Sequence, residues 1–216
     1  MVAEIAKEGG TALGIDCDVG DRSQVFGMVD QTKKAFGSVD ILVNNAQTFS
    51  KPNSQKGQAA TQPLETFDEE DWETVYRTGL LATLWGMKAV FPHMKNRGGK
   101  IINFASPSAQ MGLNGYAAYN ATKEAIRGLS RTGAREWGKY KINVNIISPV
   151  VLTDGLSDVF KDQPDQIEAA AKDRVTPRWG DPVADAGGLA IFLASPASSY
   201  LTGMTFMLDG GQYMWA

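Results

Sequence analysis

The chain has one cysteine, Cys17, and one histidine, His93, in 216 residues. A lone cysteine excludes an intramolecular disulfide. With one imidazole, no group of histidine, cysteine and carboxylates falls at ligand spacing, so no metal site is expected. Charge of one sign is lacking too: 21 basic and 24 acidic residues leave a net charge of −3. There is no basic stripe for nucleic acid and no run of like charge for a disordered tail. The longest apolar region, Gly79 to Phe91, is interrupted by Thr83 and Lys88 and falls short of the roughly 20 residues of a membrane span. Nothing at the start reads as a secretory signal, which makes the cytoplasm the expected compartment. Without repeats or low-complexity linkers, one domain over 1–216 is expected.

What is present is an alternation of short apolar and longer amphipathic segments. Met1 to Glu8 reads as the tail of a helix closed by Gly9-Gly10, and Thr11 to Val19 as a strand holding Cys17 as a buried, inert thiol. Asp21 caps a helix from Arg22 to about Phe36, and Asp40 to Asn44 is a short buried strand. The polar stretch from Gln47 to about Pro63 is longer than a simple connection. A helix from about Asp68 to Met94 carries its acidic residues in the first turn, as the dipole favours. Ile101 to Ala105 and Ile142 to Ile147 read as strands, the second ended by Pro149, with a helix from Tyr116 to Trp137 between them. Asp154 to Lys172 is helical, and Asp181-Pro182 opens another helix with proline at its tolerated first position. Met204 to Leu208 is a last strand before the turn Asp209-Gly210-Gly211. Apolar strands separated by helices predict an α/β fold, a doubly wound parallel sheet in three layers. His93, near a helix end, fits a capping or surface role better than a catalytic one.

In such sheets ligands collect at the carboxyl ends of the strands. Ser106, Asn44-Asn45-Ala46 and Pro149 each end a strand, although Asn44-Asn45 taken alone reads as a simple turn. Tyr119 stands four residues before Lys123 and thirteen after Ser106, and residues four apart share one helix face. A unit positive charge about 4 Å away is worth about 4 kcal/mol at an effective dielectric of about 20. At roughly 1.4 kcal/mol per pKa unit, that brings a phenol titrating near 10 within reach of neutral pH. With a serine hydroxyl holding the substrate oxygen, such a phenol passes a proton. A tyrosine–lysine pair at this spacing arises by accident roughly one time in three, and the serine cuts that to roughly one in fifty.

The segments CDVGD (17–21), ILVNNA (41–46), IINFAS (101–106), YNATK (119–123), INVNIISP (142–149) and SSYLTGMTFMLDGG (198–211) follow one another in a familiar order and spacing. Over nearly its whole length the chain resembles the short-chain dehydrogenases/reductases. The resemblance implies a single Rossmann-like domain with a substrate lid at about 152–178, and hydride transfer between NAD or NADP and an alcohol–carbonyl pair. It implies Tyr119 as general acid/base and Ser106 as the group orienting the substrate oxygen. Lys123 would lower the tyrosine pKa and bind the nicotinamide ribose. Asp18 and Val19 would lie along the adenine, Asn44 and Ala46 beneath the cofactor, and Pro149, Val151 and Thr153 beside the nicotinamide. Gln47, Ser108, Met111, Leu113 and Val150 would line the substrate pocket. Met111, Leu113, Val159, Phe160, Met214 and Trp215 would form its apolar wall, or serve equally as core or subunit contacts. A homo-oligomer, tetramer or dimer, is implied, with the closing QYMWA docked on a neighbouring subunit.

The chain departs from the family pattern at four places. It begins inside what would be the second helix, so it is expected to be an N-terminally truncated form of the fold. The opening strand, the glycine-rich turn, the following helix and the second strand have no counterpart in it. In the family those glycines let backbone N–H groups and a helix N-terminus hold the pyrophosphate. The residue that separates NAD from NADP would close the second strand. Gly79 stands where the family has an asparagine supporting a water-linked proton relay. Gln47 replaces the glycine that completes NNAG and faces substrate or cofactor, and Val150 replaces the glycine after Pro149.

Three functions compete. The first is an NAD(P)-dependent oxidoreductase for a small or medium, partly apolar alcohol and its ketone or aldehyde, resting on Ser106, Tyr119 and Lys123. The second is a non-catalytic protein or fragment of the same fold that holds no dinucleotide, favoured by the lack of the glycine turn. The third is a dehydratase or isomerase, hinted at by Gly79. The expected partners are a small-molecule substrate and further copies of the chain, with no nucleic acid and no membrane.

Overall fold

The computed structural model describes residues 1–49, 61–159 and 164–214. Most of the expected polar loop therefore lies outside the described residues, as do Phe160, Trp215 and the side chain of Val159. Among the described residues four parallel strands form one sheet: β1 (Ile41–Asn44), β2 (Gly99–Phe104), β3 (Ile142–Pro149) and β4 (Thr205–Leu208), side by side in that order. Leu42 pairs with Ile101, Ile101 with Val144, and Ile147 with Phe206.

Successive side chains of a strand point to opposite faces, so neighbours such as Ile101 and Ile102 enter two different cores. On one face Leu42, Ile101 and Val144 are buried against Val29, Met87 and Val90. These come from α2 (Arg22–Phe36) and α4 (Ala82–Met94), with α6 (Ala117–Trp137) adding Ala134. On the other face Ile102 and Ile147 pack against Leu193 of α9 (Gly188–Ala194). The expected three-layer α/β architecture, a parallel sheet with helices on both faces, is what the described residues form.

The helix starts follow from side-chain caps. Asp21 accepts from the backbone N–H of Ser23 at 2.7 Å and of Gln24 at 3.3 Å, and Gly37 closes α2 in the left-handed region at φ +79°. Asp68 caps α3 (Glu69–Tyr76) through Glu70 and Asp71. The expected unbroken helix from Asp68 to Met94 instead passes through a wider π-helical turn at Arg77–Leu81 before α4 begins. Asp181 caps a similar wide turn, Pro182–Gly187, that leads into α9. The helical stretch after β3 comprises α7 (Asp154–Val159) and α8 (Pro164–Lys172). A short α5 (Pro107–Met111), capped by Ser106, was not expected from the sequence.

One expected strand is absent. Helix α1 (Val2–Lys7) closes at Gly9-Gly10 as anticipated, but residues 11–18 form no ladder. A strand exists only through hydrogen bonds to a neighbour, and none of the described residues pairs with this segment. Cys17 is only half-buried there rather than buried, its thiol pKa pushed up by burial and by the carboxylates of Asp18 and Asp21.

Candidate functional site at the carboxyl ends of the strands

Strand β2 ends at Phe104, and the Ala105 N–H is taken by Ile147 O at 2.9 Å, so Ser106 leaves the sheet at a fixed point. Its hydroxyl caps α5, accepting from the Ser108 N–H at 3.3 Å, and lies 2.9 Å from the Ser108 hydroxyl. Tyr119 sits in the first turn of α6, its ring 5.0 Å from that of Phe49 and 6.4 Å from that of Tyr116. One turn on, Lys123 is buried, donating to Phe104 O at 3.0 Å.

Beneath this group runs a polar chain through the core. Asn44 Nδ2 donates to Asn103 Oδ1 at 2.8 Å, Asn103 Nδ2 donates to Ser130 Oγ at 2.8 Å, and Ser130 Oγ donates to Ile126 O at 2.7 Å. Buried polar groups left without partners cost stability. The chain therefore ties the ends of β1 and β2 to α6, the helix that carries Tyr119 and Lys123.

A cleft of about 470 Å³ opens over these residues. Ser106 and Tyr119 face it together with Ser108, Met111 and Leu113 from the α5 region. Pro149, Val150 and Val151 reach it from the end of β3, and Thr153 follows them. Gln47 and Met214 do not line it. Gln47 stacks beside Gly79 instead, and Met214 is 79% exposed. Sequence reasoning missed Phe49, Pro107, Tyr116, Leu156, Arg174, Trp179, Gln212 and Tyr213, which complete the wall. They converge from distant parts of the chain and follow no motif.

The electrostatics differ from the expectation in one respect. In the free chain the Tyr119 pKa is raised rather than lowered. The Lys123 Nζ lies 5.4 Å from the centre of the Tyr119 ring, over the face, and its hydrogen bond goes to a carbonyl. Burial raises the Tyr119 pKa, the Ser106 hydroxyl pulls it partly back by hydrogen bonding, and Tyr116 adds to the rise. Burial likewise lowers Lys123 to about 8.

Residues 1–212 match the family model described as enoyl-(acyl carrier protein) reductase. The chain belongs to the short-chain dehydrogenase/reductase family. It is 35% identical over 201 residues to a 12α-hydroxysteroid dehydrogenase from Clostridium sp., covering 92% of this chain and 74% of that one. It is 35% identical over 220 residues to a 3-oxoacyl-[acyl-carrier-protein] reductase from Staphylococcus epidermidis, covering 99% and 83%. The crystal structure of a gluconate 5-dehydrogenase from Burkholderia cenocepacia with NADP and tartrate superposes with a TM-score of 0.85 at 32% identity, covering 98% of this chain and 79% of that one. The chain is accordingly an NAD(P)-dependent oxidoreductase of the short-chain type with a small-molecule substrate. No described helix is long and apolar enough to cross a membrane.

The residues expected at the nicotinamide end of a short-chain dehydrogenase cofactor fit that group. Lys123 spends one of its three N–H donors on Phe104 O, and the other two have no protein acceptor among the described residues. A buried cation with donors to spare suits the hydroxyls of a ribose. At the other end, Asp18 is exposed with its Oδ1 accepting the Gly20 N–H at 2.8 Å, and Val19 is half-buried next to it. Asn44, with its Nδ2 committed to Asn103, offers the backbone rather than that amide.

The missing relay asparagine has a visible consequence. A Cβ on Gly79 would lie 2.5 Å from Thr122 Cγ2 and 2.8 Å from Gln47 Nε2. The Gln47 amide fills the space above the π-helical turn, with both polar atoms buried and without a partner among the described residues. The two departures at 47 and 79 are thus one local rearrangement.

Proposed function

We propose that this enzyme interconverts a small or medium, partly apolar alcohol with its ketone or aldehyde, and that Tyr119 is the general acid/base. The observation that carries the reading is the placing of the Ser106 and Tyr119 side chains on one cleft, with the Lys123 ammonium buried under the tyrosine ring. The Ser106 hydroxyl donates to the substrate oxygen and holds it against the phenol. In reduction Tyr119 gives its proton to that oxygen as the carbonyl carbon gains hydride, and in oxidation it takes the proton back. A nicotinamide cofactor, once bound, supplies or removes the hydride. Lys123 holds the ribose with its spare donors and stabilises the phenolate electrostatically when the proton leaves. Asp18, Val19, Asn44, Ala46, Pro149, Val151 and Thr153 are proposed as the cofactor contacts, and Ser108, Met111, Leu113 and Val150 as substrate contacts. Residues 1–216 act as one domain, with 152–178 as its lid.

The named relatives act on substrates as different as a hydroxysteroid, an acyl chain on a carrier protein and gluconate, so the cleft itself must decide. The test is a screen of alcohols and ketones with NAD(H) and NADP(H), followed at the nicotinamide absorbance. Turnover by the wild type that disappears in Tyr119→Phe supports the reading. Turnover retained by that variant overturns the assignment of the acid/base.

A further inference from the structure

Within a largely neutral cleft, one wall residue is charged. Arg174 lines the same cleft as Ser106 and Tyr119, and among the described lining residues no carboxylate faces it. Its guanidinium carbon lies over the Trp179 ring, 3.8 Å from the centroid. Its Nη1 donates to Gln212 Oε1. These two contacts hold the fork in place against the cleft wall.

What remains is the other edge. Nη1 lies on the Cδ side of the guanidinium, so Nε–H and Nη2–H point the same way. This parallel pair is the edge that grips a planar carboxylate with two hydrogen bonds. Among the described residues Nε is buried without a partner, and Nη2 makes no bond. The carboxylate of Asp209, which acts on the guanidinium only through its charge, has its oxygens accepting the N–H groups of Gly211 at 3.0 Å and Tyr213 at 2.9 Å. Burial lowers the Arg174 pKa while Tyr213 and Asp209 raise it, as for a cation partly stripped of water. Arg174 is half-buried, and its unpartnered Nε carries a desolvation cost that an anion drawn to the guanidinium offsets.

We propose that Arg174 is an anion subsite of the cleft and that the substrate is a hydroxy or oxo acid. Its carboxylate sits on the Nε–Nη2 edge while its alcohol or carbonyl oxygen lies at Ser106 and Tyr119. The proposal rests on the oxidoreductase reading for the reacting end and adds the chemistry of the other end. Arg174 is a specificity residue, held in position by Trp179 and Gln212.

The test uses oxo acids from 4-oxopentanoate to 8-oxononanoate, each paired with its methyl ester. Binding to the full chain is measured by calorimetry with and without NADPH, for the wild type, Arg174→Met and Arg174→Lys. Charge-assisted bidentate bonding predicts that at least one acid binds the wild type about ten- to a hundredfold more tightly than its ester. In Arg174→Met that ratio falls to about one, and Arg174→Lys, which keeps charge without the fork, lies between. Equal binding of acid and ester by the wild type, binding of neither, or a preference that survives Arg174→Met overturns the proposal. So does a loss of NADPH affinity in Arg174→Met with the acid preference intact, which would assign the edge to a cofactor phosphate. Turnover of the same compounds separates the two readings. Acid preference in binding without turnover leaves the subsite standing and sinks the oxidoreductase reading. Turnover without acid preference does the reverse.

Discussion

Gln47 occupies the space that any side chain at position 79 would need, its Nε2 only 2.8 Å from where a Cβ on Gly79 would stand. On the far side Thr122, buried in α6, would approach to 2.5 Å. Gly79→Ala is therefore expected to destabilise the protein by about 1–3 kcal/mol, the usual cost of overpacking. Adding Gln47→Ala should recover part of that loss, because the amide is the movable half of the clash. Urea unfolding of both single variants and the double variant measures the coupling. Additive effects would show that the two positions do not compete for space.

Tyr119→Phe keeps the ring that packs beside Phe49 and Tyr116 and removes only the hydroxyl. Turnover is expected to fall by at least about a hundredfold, the scale of a lost general acid/base, with the melting temperature nearly unchanged. Steady-state assay and thermal melting are read together. A large drop in melting temperature would mean that the hydroxyl is structural.

Lys123 gives a pH signature. Its folded-state pKa of about 8 lies below the ordinary 10.5. Between those values the unfolded chain binds the proton and the folded chain does not, so the lysine's contribution makes stability rise with pH from about 8 to 10.5. Below about 8 both states are protonated and the contribution is flat. The stability of wild type minus Lys123→Met should follow that curve, and denaturant midpoints at a series of pH values trace it. A flat difference through the window would place the ammonium in contact with water.

Asp185 predicts the opposite end of the scale. Two hydrogen bonds from Arg178, at 2.6 and 2.9 Å, and one from the Asp181 N–H hold its pKa near 2, against an ordinary 3.8. A depressed carboxylate stabilises the fold above its unfolded pKa and loses that stabilisation as pH falls through the folded one. The difference between wild type and Asp185→Asn should be constant near neutrality and close between about pH 4 and 2. Acid unfolding monitored by circular dichroism decides it.

The parts of this molecule legible in the sequence were those set by local chemistry. Asp21, Asp68 and Asp181 announced helix starts because a carboxylate beside two free N–H groups works over three residues. The spacing of Tyr119 and Lys123 placed both on one face of α6 for the same reason. Thr11 to Val19 carried a strand's composition, but a ladder needs a partner, and composition does not say whether one is there. The π-helical turn at Arg77–Leu81 and the burial of Gln47 against Gly79 depend on residues about thirty positions apart. Arg174 was silent. Its role follows from a tryptophan five residues on and a glutamine 38 residues on, which meet only in the folded cleft.

The sheet winds in one direction, yet its helices change sides: α6 joins β2 to β3 over one face, and α9 leads to β4 over the other. Two crossovers that step the same way on opposite faces have opposite hands, and the left-handed kind is rare. The chain makes that change of side after β3, in the stretch that sends Val151, Thr153, Leu156, Arg174 and Trp179 to the cleft. One tether thus serves as both the wall of the pocket and the hinge on which the last strand is hung. A molecule lodged in the cleft clamps that tether, so occupancy should slow the peeling of β4 from the sheet and lengthen the life of the folded state.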